Sequence, residues 1–94
     1  MHIVTLNEAK ERLSIDFDTK DNEITVMANA VESYLSFATG LDLDTLQSNE
    51  STYNLAKEYV LLKLYLDYYS AHTEIDDFRL LNMIKQLQVV ALIQ

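Results

Sequence analysis

One glycine and no proline in 94 residues constrain this chain more than any other feature. Sheets and the tight crossovers of α/β folds use turn residues freely, chiefly Gly, Pro and Asn-Gly pairs. A chain whose one glycine is Gly40 is left with helices joined by short polar links. Length supplies the second bound. Ninety-four residues hold one core, so residues 1–94 are read as a single domain. Folding at this size buries roughly 60–65% of the chain's surface, which leaves a free subunit only modestly stable. The expectation is an all-α fold: a small four-helix bundle, orthogonal or irregular, with no sheet.

The periodicity supports four helices. Thr5 and Glu8 form a capping box, and Leu6, Ala9 and Leu13 share a face of a short first helix ending near Ser14. Ile15 and Phe17 continue as apolar anchors, and Asp18 is the candidate cap of the next helix, with Asp21 at N3. Ile24, Met27, Ala28, Val31, Tyr34, Leu35 and Ala38 trace a stripe over residues 20–39. Gly40 follows it, where a left-handed residue is wanted. Residues 41–51 form the longest link, and Leu41, Leu43 and Leu46 predict that it packs down. Ser48 or Ser51 is placed to cap a third helix, apolar on nearly every side from Tyr53 to Tyr69. Asp76 or Asp77 is placed to cap a fourth, with Phe78, Leu81, Ile84, Leu87 (or Gln88) and Ala91 as its stripe.

Chemistry is sparsely represented. Asp16-x-Asp18 resembles the start of a calcium loop, but position 5 is then Lys20, position 6 is Asp21 instead of glycine, and position 12 is Met27. Caps and helix-dipole partners account for these acids better than a metal does. There is no cysteine, and His2, at a free terminus, and His72, in a link, lack any zinc spacing. No nucleophile elbow or phosphate-cradling loop occurs, so no cofactor and no enzymatic activity are expected. The net charge is −8, from 15 acids against 7 Lys and Arg, which disfavours gripping a phosphate backbone. The first ten residues lack the pattern of a signal peptide, and no apolar run reaches the roughly 18 residues that cross a bilayer. The expectation is an intracellular soluble protein with no membrane partner.

Apolar surplus is the remaining clue. Tyr53, Tyr59, Tyr65, Tyr68 and Tyr69 crowd the third helix, and Leu80, Met83, Val90, Leu92 and Ile93 lie outside the stripe of the fourth. Tyrosine suits interfaces, where the ring is buried and the hydroxyl reaches a polar rim. Tyr65, Tyr68, Tyr69, Leu87, Val90, Leu92 and Ile93 are therefore the candidate assembly interface.

These features occur in a familiar order. Val4-Thr5-Leu6-Asn7-Glu8-Ala9-Lys10, then Leu13-Ser14-Ile15-Asp16, Asp21, Ile24, Ala30, Tyr34-Leu35 and Thr39-Gly40 resemble the opening of phage head–tail connector (adaptor) proteins, often labelled DNA-packaging proteins. Tyr68-Tyr69 and Ile84-Lys85-Gln86-Leu87-Gln88 are similar to later signatures of the same family. Ser14 and Gln88 stand where that family usually has arginine. The resemblance implies a virion protein at the head–tail junction, assembled in the host cytoplasm. It implies a subunit that joins copies of itself into a ring, such as a dodecamer, beneath the portal protein. That ring extends the DNA channel, passes DNA without reading its sequence, and offers a platform to a tail-completion protein. The competing expectation is a small acidic DNA mimic that blocks a host nucleic-acid-binding protein.

Overall fold

The computed structural model describes residues 2–93, with side chains through Val90. Five helices follow one another, α1 (Leu6–Leu13), α2 (Asp21–Thr39), α3 (Leu43–Leu46), α4 (Glu50–Tyr68) and α5 (Glu74–Ile93), and the described residues contain no strand. α2 and α4 pack on each other and on every other long helix, whereas among the described residues α1 and α5 do not pack on each other. α1 and α5 therefore flank the inner pair, and α3 packs on both α2 and α4. The body measures 42 × 29 × 19 Å. Its thin dimension is about two helix diameters, so no long helix is covered on all sides.

Local chemistry sets most boundaries. The capping box forms as expected: Glu8 N–H donates to Thr5 Oγ1 at 3.1 Å, and Thr5 N–H to Glu8 Oε1 at 2.9 Å. α1 ends because Ser14 turns left-handed at φ 58°, its N–H returning to Glu11 O at 3.1 Å. An L-residue with a Cβ is disfavoured there. Ser14→Gly is expected to raise stability by about 0.5–1 kcal/mol, read as a rise of a few degrees in Tm by circular dichroism. An unchanged or lower Tm would mean that the glycine's freedom in the unfolded chain outweighs the relief.

Gly40 terminates α2 as expected, at φ 72° with its N–H on Ser36 O at 3.0 Å. Three caps differ from expectation. Asp18 leaves α2 without a side-chain cap, because its carboxylate turns to Lys10 Nζ at 3.0 Å. α4 starts at Glu50, capped by Asn49, whose Oδ1 accepts from Thr52 N–H at 3.2 Å, in place of Ser48 or Ser51. α5 starts at Glu74, where the Thr73 hydroxyl accepts from Asp76 N–H at 3.1 Å, so neither Asp76 nor Asp77 caps it. Asn and Thr compete on nearly equal terms with Ser and Asp for this role, which is why spacing alone misplaces it. The 41–51 link packs down as predicted, through α3 and the buried Leu46.

The core joins Leu13, Ile24, Leu35, Leu46, Tyr59, Leu64 and Leu87 with Ile3 and Val4 from the N-terminal segment. That segment is docked, contrary to a free terminus. Glu32, 1% exposed, lies on the inward face of α2 beside Ala28 and Leu35. Its carboxylate accepts N–H bonds from His2 (2.8 Å), Ile3 (2.9 Å) and Val4 (3.0 Å). The Tyr53 hydroxyl donates to Ile3 O at 3.0 Å.

The fourth predicted stripe is rotated. Leu80, Ile84 and Leu87 face inward, while Phe78 and Leu81 face solvent. Residues repeating at i, i+3, i+6 drift about 60° per step around a 3.6-residue helix, so Phe78, Leu81, Ile84 and Leu87 cannot share one face. Leu80, Ile84 and Leu87, spaced four and three, fall within about 60° of one another. Phe17 is likewise exposed in the α1–α2 link, and only Ile15 is buried there.

Candidate assembly surface

The seven interface candidates separate into two groups. Tyr65, Tyr68 and Tyr69 meet at the end of α4, with ring centroids 5.1 Å apart for Tyr65–Tyr69 and 5.0 Å for Tyr68–Tyr69. Their tilted and edge-on geometries are those aromatic rings prefer. Tyr69 also donates its hydroxyl to Leu13 O, so it covers the end of α1 as well as facing solvent. Leu87, 0% exposed, belongs to the private core and is unavailable to a partner, which corrects its assignment to the interface. Val90 is half-buried, and the Leu92 and Ile93 side chains lie outside the described residues. Val90 stands about 24 Å along α5 from its start, far from the tyrosines at the α4–α5 joint.

A larger apolar surface was not singled out from the sequence. On α2, Val26 is 67% exposed and Phe37 86%, and with Ala30 they repeat at i, i+4 and i+11, one solvent-facing stripe beside the half-exposed Tyr34. On α5, Ile75 is 75% exposed and Phe78 63%, and Leu81 and Val89 continue the outward side. α2 and α5 pack together, and Gln88 Nε2 donates to Ala38 O at 2.9 Å, so the two helices that carry these faces are neighbours. The available signal was a second apolar stripe on helices that already had one. A two-layer body can bury only one of them.

Charge is distributed in the opposite sense. Six of the seven Lys and Arg residues are held in ion pairs, and among the described residues only Lys85 is not. Arg12 meets Glu58 through two bonds of 3.1 and 3.0 Å, and Lys57 meets Glu8 at 2.9 Å while lying 4.6 Å over the Tyr53 ring. These contacts fasten α1 to α4. The Lys57 bond and the capping N–H of Thr5 hold the Glu8 carboxyl below its usual range. The acidic string is also occupied: the Lys10 ammonium lies 3.0 Å from Asp18 and 2.8 Å from Asp21. A cation of the protein's own thus holds Asp18, one of the two acids of the loop-like Asp16-x-Asp18 pair, together with Asp21.

Two shallow clefts share Tyr34 and Lys63, one between α2 and α4 and the other reaching α5 as well. One, about 350 Å³, is lined by Met27, Ala30, Val31 and Asp67. The other, about 160 Å³, is lined by Tyr59, His72, Asp77, Leu80, Leu81 and Ile84. Burial pushes the Tyr59 hydroxyl well above the usual tyrosine range, so it stays protonated. Neither cleft brings a nucleophile and a free base together, because His72 is held by two carboxylates. No helix among the described residues is long and apolar enough to cross a membrane. No family model, curated protein or solved structure matches this chain.

Proposed function

We propose that this chain is a structural subunit of a phage head–tail connector. Its four long helices form an irregular bundle that joins a ring beneath the portal, extends the DNA channel and presents a platform for tail attachment. The observation that carries the reading is the exposed apolar faces of the neighbouring helices α2 and α5, with Val26, Phe37, Ile75 and Phe78 left uncovered by the described residues. A patch of that character marks a protein contact more often than an unused surface. The likeness of residues 4–40 to connector proteins supplies the class of contact. The charge is compatible with the role: with its cations already paired, the surface offers phosphates few partners, and DNA slides past without sticking.

Both family departures have roles within this chain. Ser14 makes the left-handed end of α1, and Gln88 satisfies a carbonyl at the end of α2.

The test is the mass of the purified protein, alone and with a portal ring, by light scattering or native mass spectrometry. The expected result is association in at least one of the two. Phe37→Asp with Phe78→Asp is expected to abolish it while changing stability by no more than about 0.5 kcal/mol per site, because both side chains are exposed. A persistent monomer that ignores the portal and binds a host DNA-binding protein would establish the DNA-mimic alternative instead.

A further inference from the structure

The joint between α4 and α5 is organised around His72. Its Nε2 lies 2.5 Å from Asp67 Oδ1 on α4, and its Nδ1 lies 2.6 Å from Asp77 Oδ1 on α5. Neutral imidazole has one N–H and one lone pair, so it can donate to only one of these carboxylates, whereas imidazolium donates to both. We propose that Asp67, His72 and Asp77 form a protonation-controlled latch, in which imidazolium ties the end of α4 to the first turn of α5. Loss of the proton leaves one carboxylate facing a lone pair, and the tie is broken whichever tautomer remains.

The surroundings favour this reading. His72 follows Ser70, whose left-handed φ of 49° makes the sharp turn, so its ring is carried on a short link between the two helices. Asp67 has a second partner in Lys63 at 3.3 Å. Asp77 has no other cation among the described residues, so its attachment depends on the imidazolium. Tyr34 from α2 and Tyr59 and Lys63 from α4 face the same cleft, and none of them supplies a negative charge to replace either carboxylate. Asp67 and then Asp77 hold the His72 pKa above the usual histidine range. The sign follows. The latch contributes fully below the unfolded-state pKa of about 6.5 and is lost as pH rises through the higher folded-state value. The first two turns of α5 carry Ile75, Phe78 and Leu81, so the latch also sets the placement of the apolar face. That last link rests on the proposed function, and the latch does not.

The experiment is an NMR titration of the His72 Cε1 proton together with amide-exchange protection factors across residues 74–82. The expected midpoint lies above about 6.5. Protection in those residues should fall about fivefold as pH passes that midpoint, with α2 unchanged. Asp77→Asn should lower the midpoint and remove the step, and His72→Gln should show the low-protection state at every pH. A midpoint at the ordinary value, or α5 protection that ignores the titration, overturns the latch. Sedimentation on both sides of the midpoint separates the two readings. A protection step without any change in self-association keeps the latch and counts against the apolar face of α5 as the assembly surface.

Discussion

Glu32→Ala is expected to cost about 3 kcal/mol of folding stability, lowering Tm by about 12–24 °C for a domain of this size. The carboxylate is 1% exposed, and among the described residues its partners are three successive backbone N–H groups and no Lys or Arg. Bonds to a charged acceptor contribute more than neutral ones, and removing the acceptor orphans all three donors together. The segment can escape part of that penalty by peeling into water. It then exposes Ile3 and Val4, each worth about 1.5–3 kcal/mol when buried. Either route leads to a loss of similar size. Glu32→Gln keeps the shape but turns an NH₂ donor toward backbone donors, so it should fall between the alanine variant and the parent. Urea and thermal denaturation decide the matter. A loss below about 1 kcal/mol for the alanine variant would mean that residues 2–4 are not held against α2 in solution.

Leu87 gives the second large effect and separates core from contact surface. It is fully buried on α5, in line with Leu80 and Ile84. Leu87→Ala should cost about 3 kcal/mol, within the range for a buried leucine truncation. Leu87→Asp should cost more than about 4 kcal/mol, since a carboxylate would enter an apolar site without a partner. Val89→Asp, two residues away on the outward side, should change stability by no more than about 0.5 kcal/mol. Far-ultraviolet circular dichroism in urea distinguishes the three. A Leu87→Asp chain that stays folded and only loses association would return Leu87 to the interface.

The helical elements were largely legible because they depend on neighbours within a few residues. The Thr5–Glu8 box, the Gly40 terminus and the Ile24–Ala28–Val31–Leu35 stripe are contacts across one or two turns, and each is present. The α5 face was harder to read. Its apolar residues surround the helix, so several stripes fit the same letters, and only packing on α2 and α4 selects Leu80, Ile84 and Leu87. The candidate interface was legible in kind, as surplus apolar surface, and less so in position. Val26 and Phe37 read as ordinary helix residues until the thin body leaves them outside.

The sequence by itself determined that this protein is helical, where α1 starts, and where α1, α2 and α4 stop. Those are matters of backbone preference, capping and charge within a turn or two. Tertiary structure alone decided that Glu32 grips the N-terminal segment across 30 residues of chain, and that Asp67, His72 and Asp77 converge on one joint. It also decided which of two apolar faces on α2 and α5 is buried. The reason is geometric: a helix shows which residues share a side, and only the packing of one helix on another shows which side is inside.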